Sequence, residues 1–313
     1  MAASQMFSER PKGFLRLVAL SMQEDKGPLA RETNKVNSDI SMTILVDNKA
    51  AHGLISEHGF SLWLRLGKRR ILFDTGQGNA LTTNARKLGL NLGETDTLVL
   101  SHGHYDHTGG ISDVFRQSPQ MDIYCHPGVV LPRYVIRNGD AHCIQMPRES
   151  ILALNNIQES NLHWVSSTPV TFIAGTGITG AVPRLTDFED VGGPFFLDAE
   201  GTRTDQIEDD QALWINTAEG LIICLGCCHA GLINTLDYIC QITASSKVRA
   251  IIGGLHLLSA DERRLERTID SLKSFSPGLI VPCHCTGERA TQLLGEVFGS
   301  RMLQGYSGMN INF

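Results

Sequence analysis

Ser101-His102-Gly103-His104-Tyr105-Asp106-His107-Thr108-Gly109-Gly110 packs three imidazoles and a carboxylate into the six positions 102–107. Neither a solvated turn nor a packing need calls for that density of ligand-type side chains. Imidazole and carboxylate together suit zinc, iron or manganese, and a carboxylate between histidines can serve one ion while its neighbours serve another. Gly103, Gly109 and Gly110 let the backbone come close to such ions. A polar loop with surface histidines, or a single structural ion, is the plainer reading, and it leaves the clustering unexplained.

Working outward, residues 97–100 read as a short buried strand that ends at the motif, and Phe73-Asp74-Thr75-Gly76 closes an earlier strand over 70–73. Runs at 41–46 and 60–66 precede it, the second joined to 70–73 at Gly67-Lys68, which predicts an antiparallel meander. Residues 80–88 look helical. Downstream, residues 128–201 are rich in Pro and Gly with no sustained period, and read as an irregular insertion that shapes a pocket. Order returns with a hairpin of 211–216 and 221–225. Helical patterns at 230–243, 260–275 and 288–298 then alternate with strands at 248–252 and 279–281. Mixed sheets with helices packed outside follow, and two such halves suggest an α/β four-layer αββα sandwich, although periodicity alone does not separate it from other α/β folds.

The histidine motif resembles the His-x-His-x-Asp-His signature of the metallo-β-lactamase superfamily, and Phe73-Asp74-Thr75-Gly76 looks like that superfamily's first motif. Val46-Asp47-Asn48, Gly53-Leu54, Glu57-His58-Gly59, Gly226-Cys227-Cys228-His229-Ala230-Gly231, Gly253-Gly254-Leu255-His256-Leu257 and Pro282-Cys283-His284-Cys285-Thr286-Gly287 stand outside the core signature. Together they are similar to the 7,8-dihydropterin-6-yl-methyl-4-(β-D-ribofuranosyl)aminobenzene 5′-phosphate synthase family, over roughly residues 41–313. The resemblance implies the αββα metallo-β-lactamase fold and two divalent metal ions, zinc first, with iron or manganese as alternatives. His102 and His104 would serve one ion, Asp106 and His107 the other, with Asp74 orienting the cluster from behind. The implied activity is that of a hydrolase or related lyase using a metal-bound hydroxide on a small phosphorylated or ester substrate, pterin-like in the founding family.

Three more histidines each follow an apolar strand: His229, His256 and His284. A buried, hydrogen-bonded structural histidine is the ordinary reading of any one of them; His229 and His284 are favoured as ligands, and His256 as a substrate-facing acid or an alternative ligand. The superfamily's bridging Asp, in a Gly-Asp pair, is missing where Gly226-Cys227 stands, so either Cys227 or His229 takes part of that role, or the second metal is bound more weakly with only a water or hydroxide as bridge. Asp106 would orient the attacking water while ligating. Arg184 is a candidate clamp for phosphate or carboxylate, or else an ion-pair partner of Asp187 or Glu189. Glu57 and His58 either line the pocket or cap a loop. Cys227, Cys228, Cys283 and Cys285 lack Cys-x-x-Cys spacing and read as small buried residues, with one thiol behind the ions.

The chain has 313 residues, enough for one domain over 38–313, with 1–37 as a loosely ordered extension that does not read as a secretory signal. With 27 Lys+Arg against 33 Asp+Glu, the surface gives no electrostatic reason to expect nucleic acid. The apolar runs are shorter than the roughly 20 residues a membrane span needs. Eight cysteines in a chain of this size read as reduced thiols, hence a cytoplasmic location. A small-molecule substrate is the expected partner, and a homodimer is compatible. A metal-binding sensor with little turnover and a phosphodiesterase or nuclease of the same fold are the rival readings.

Overall fold

β1 (Ile40–Val46), β2 (Ser61–Leu66) and β3 (Arg69–Phe73) pair as an antiparallel meander. Leu66 lies opposite Arg69, so Gly67 and Lys68 alone reverse the chain, and the φ of 57° at Gly67 provides the left-handed turn such a short hairpin requires. The computed structural model describes residues 35, 36 and 39–313. The expectation for residues 1–37, Lys35 and Val36 apart, therefore lies outside the described residues.

After the meander come α1 (Leu81–Lys87), β4 (Thr97–Val99), α2 (Tyr105–Thr108), α3 (Ile111–Gln117) and β5 (Asp122–Cys125). The stretch 128–201, read from sequence as irregular, holds β6 (Tyr134–Arg137), β7 (Asp140–Cys143), α4 (Arg148–Asn156), β8 (Leu162–Trp164), β9 (Val170–Ile173), β10 (Thr176–Ile178) and β11 (Phe195–Phe196). Strands of two to four residues are too short to print a period on the sequence. The chain closes with β12 (Leu213–Thr217), β13 (Gly220–Leu225), α5 (Leu232–Thr243), β14 (Val248–Gly254), α6 (Glu262–Phe275), β15 (Leu279–Cys283), α7 (Glu288–Phe298) and β16 (Asn310–Asn312).

One sheet runs β16-β1-β2-β3-β4-β5-β8 and the other β15-β14-β13-β12-β10-β9, with β11-β6-β7 as a small third sheet. So the stretch 128–201 supplies edge strands to both large sheets. Side chains of the central strands alternate between two cores. On β13, Ile222 and Cys224 join Leu62, Leu64, Ile71 and Phe73 of the first large sheet in one core, while Leu221, Ile223 and Leu225 pack with Leu236, Leu272 and Leu294 of the helices. On the far side, Trp63 and Leu72 meet Leu81, Val114 and Leu154 from α1, α3 and α4. Helix, sheet, sheet, helix is therefore the layer order, and burial on both faces is why these strands read as nearly continuous apolar runs. Among the described residues no helix is long and apolar enough to cross a membrane.

Candidate metal centre

The chain leaves β3 at Asp74, β4 at Ser101–His104, β13 at Cys227–His229, β14 at His256 and β15 at His284. The ring distances show that these ends meet. His102 lies 4.9 Å from His229, His107 lies 5.2 Å from His284, and His229 lies 4.1 Å from His256, centroid to centroid. Asp74, Cys228, His256 and His284 all take positive φ, between 46° and 63°. Left-handed backbone at non-glycine residues costs of order 1–3 kcal/mol each, and it persists where the surrounding structure over-determines it.

Hydrogen bonds decide which nitrogen of each ring faces inward. The Asp74 carboxylate accepts the Ser101 hydroxyl at 2.6 Å, the Ser101 N–H at 2.7 Å and His107 Nδ1 at 2.7 Å. With its only proton directed at Asp74, Ser101 Oγ offers just a lone pair to His102 Nδ1, 2.9 Å away, so Nδ1 of His102 carries the proton. His229 Nδ1 donates to the Val191 carbonyl at 2.9 Å. His284 Nδ1 lies 2.9 Å from Asn48 Oδ1, which also accepts the Gly59 N–H, so the imidazole must be the donor there too. In their neutral forms, His102, His107, His229 and His284 therefore all present an Nε2 lone pair to the interior.

Among the described residues those lone pairs find few donors, and the Cys227 thiol, 3.1 Å from His107 Nε2, is one of them. His284 Nε2 lies 3.3 Å from Asp106 Oδ2, a hydrogen bond when the ring is protonated and two opposed acceptors when it is neutral, and among the described residues the buried Nε2 atoms of His229 and His104 have no partner. His104 Nδ1 stands 2.9 Å from His102 Nε2. The ligand atoms of His102, His104 and His229 lie within 4.8 Å of one another, as do those of His58, Asp106 and His284, and those of His102, His107 and Cys227. Burial pushes protonation of His102 and His229 far down and that of His104 down to about 3, and nearby positive charge adds to it. Burial opposes ionisation of Asp106, yet the His107 charge and bonds from His284 and His58 hold it well below the usual carboxylate range. A cation is what such a set of converging acceptors fits.

The sequence-predicted residues fall into distinct places. His58 is half-exposed, with Nε2 3.2 Å from Asp106 Oδ2, so it stands at the mouth of the cluster. Its neighbour Glu57 is turned away: its carboxylate accepts the N–H groups of Gln77, Asn79 and Ala80 and so braces the loop after Asp74. Arg184 forms no ion pair with Asp187 or Glu189; its guanidinium donates to the backbone carbonyls of His229, at 2.6 Å, and of Gln206 and Ile207. Asp187 pairs instead with Arg263 and Arg267, and Glu189 accepts the Ile233 and Asn234 N–H groups at the start of α5. Cys227 Sγ lies 3.1 Å from His107 Nε2, among the candidate ligands rather than behind them. His256 does not face an open pocket: Gly192 closes over it so tightly that an added Cβ would fall on the ring.

Other contributors were missed. Phe195 from the small sheet sets its ring 5.4 Å from His104 and 5.3 Å from His229, forming an apolar wall; in the sequence it falls within the stretch read as an irregular insertion. Asp47 and Asn48 hold His284, the first through its backbone N–H at 2.7 Å, and their place in the Val46-Asp47-Asn48 match was the available signal. Arg133 is fully buried against Asp205 and Asp209, and Asp209 Oδ2 accepts the Gly103 N–H at 2.8 Å, tying the motif to this ion cluster.

The sequence pattern of the Metallo-beta-lactamase superfamily matches residues 57–232. The chain belongs to the metallo-β-lactamase superfamily. Within it, the chain is 29% identical over 269 residues to the 7,8-dihydropterin-6-methyl-4-(beta-D-ribofuranosyl)-aminobenzene-5'-phosphate synthase of Methanocaldococcus jannaschii, covering 82% of this chain and 90% of that relative. It is 30% identical over 256 residues to an uncharacterized protein of the same organism, covering 81% and 93%. A crystal structure of a metal-dependent hydrolase of the beta-lactamase superfamily superposes with a TM-score of 0.74 at 27% identity, covering 87% of this chain and 98% of that one.

For a superfamily member whose imidazoles are held neutral, the metal-free chain has a defined acid response. Unfolded histidines take up protons below about 6.5, whereas His102, His104 and His229 resist protonation in the fold, His104 down to about 3. The unfolded state then binds more protons, so stability falls as pH drops below 6.5, by about 1.4 kcal/mol per pH unit for each such ring. His107, raised to about 9 by Asp74 and Asp106 against the effect of burial, contributes stability below 6.5 that is lost as pH climbs towards 9. Urea melts of chelator-treated protein should therefore show a lower midpoint at about pH 5 than at about pH 6.5. A midpoint that is level or higher at the lower pH would contradict the neutral assignment of the three rings.

Proposed function

We propose that the chain is a two-metal hydrolase, or a related lyase, acting on a small phosphorylated or ester substrate with a flat, pterin-like part. The observation that carries this reading is the set of four rings whose Nδ1 protons are committed outward, so that their Nε2 atoms converge beside the ionised Asp106. His102, His104 and His229 would hold one divalent ion, and Asp106, His107 and His284 the other, zinc first among zinc, iron and manganese. Such a pair, when bound, supplies Lewis acidity and an activated water near neutral pH.

The chain's own residues do the rest. Asp74 and Ser101 keep His102 and His107 in the tautomer that ligation needs. His58, half-exposed and hydrogen-bonded to Asp106, is placed to carry a proton at Nε2 between solvent and a leaving group, which suits it better than His256 for the acid role. Phe195 offers a face against which a planar ring can stack. The formal net charge of −6 supports a small substrate over a nucleic acid.

The test is a panel of carboxylic esters, phosphomonoesters, phosphodiesters and pterin phosphates, assayed with chelator-stripped protein and again after zinc, iron or manganese is restored. Turnover of a small substrate that returns only with metal supports the reading. Turnover that is untouched by stripping, with no metal left on the protein, would refute it. Cys227, standing where a carboxylate is expected, favours the second reading of a ligand-binding protein with little turnover; tight binding without product is its signature.

A further inference from the structure

Three side chains beside the histidine cluster remain without an explanation. The ends of β13, β14 and β15 bring Cys227, His256 and Cys285 together, their ligand atoms all within 4.8 Å of one another. Both cysteines are buried and unbridged. Gly254 makes the approach possible, since an added Cβ there would meet Cys285 Sγ at 2.6 Å and Cys227 Cα at 3.3 Å. Hydrogen bonding accounts for only part of the grouping. Cys285 bonds the Cys227 carbonyl at a long 3.5 Å and also meets the Cys227 thiol and the His256 ring, while His256 Nδ1 is buried with no partner among the described residues.

Two sulfurs and an imidazole form a donor set for soft and borderline cations; magnesium and calcium take oxygen. We propose that Cys227, His256 and Cys285 form a separate thiolate pocket for a zinc- or copper(I)-class cation, with Cys227 shared with the histidine cluster through its 3.1 Å approach to His107 Nε2. Loading breaks two S–H bonds, sends the two protons to solvent and forms two sulfur–metal bonds, with no change of oxidation state. His256 is a ligand in this pocket, and the ring of His229, 4.1 Å away, holds it in place. The pocket does not rest on the hydrolytic reading.

Cobalt(II) titration of the reduced, chelator-stripped full chain tests it. The expected result is a near-ultraviolet sulfur-to-cobalt charge-transfer band, with Cys285→Ser losing most of that band and about one equivalent of bound metal while the visible bands of the histidine centre remain. Wild-type protein that shows visible cobalt bands without the sulfur band overturns the pocket and leaves the histidine centre standing. Unchanged stoichiometry and sulfur band in Cys285→Ser, or a Cys227–Cys285 disulfide found in the protein as purified with no metal taken up after reduction, also overturns it. If Cys285→Ser fails to fold, the wild-type stoichiometry decides: a third equivalent of cobalt supports the pocket, and no more than two overturns it.

Discussion

His107→Ala is expected to lose metal and turnover together while the fold survives. His107 bonds Asp74 through Nδ1, presents Nε2 3.1 Å from Cys227, and packs its ring 4.3 Å from that of His102. None of the three apolar cores includes it, so the sheets and helices keep their packing. Removing even an outer partner of a metal ligand costs roughly tenfold to a hundredfold in metal affinity, and loss of a ligand itself should exceed that. Elemental analysis alongside circular dichroism checks both halves of the expectation. A folded, fully metallated and active His107→Ala protein would remove this residue from the centre.

The largest expected effect on stability is that of Arg133→Met. Its guanidinium is buried between Asp205 and Asp209, so the variant leaves two buried carboxylates without a counter-charge. Breaking a buried pair in this way costs about 3–5 kcal/mol, a large part of the roughly 5–15 kcal/mol that holds a typical domain. The damage should reach the site, because Asp209 also positions Gly103 between two candidate ligands. Denaturant melts should show the loss, and the added changes Asp205→Asn and Asp209→Asn should recover part of it by removing the stranded charge. A loss below about 1 kcal/mol would mean that water reaches the cluster.

What the sequence disclosed was what is local. The meander and the last three helices are long enough to carry a period, and the ten-residue histidine motif concentrates its chemistry in one loop. What it concealed lies between distant segments. Arg133 and Asp209 are 76 residues apart, Cys227 and Cys285 are 58 apart, and Asn48 and His284 are 236 apart. A search for Cys-x-x-Cys spacing along the chain could not pair thiols that follow β13 and β15, parallel strands on either side of β14. Arg184 misled for a related reason: Asp187 and Glu189 stand close by in sequence, but α6 reaches over to claim the first and the start of α5 claims the second.

The central claim is that inward-facing imidazole lone pairs and Asp106 hold divalent metal. Its most direct measurement is the zinc content of chelator-stripped protein after reconstitution and removal of free ion. At least about two ions per chain are predicted, with proton release on binding because His107, raised to about 9, must give up its proton to ligate. A chain that takes up no metal, with its fold intact, would contradict the account.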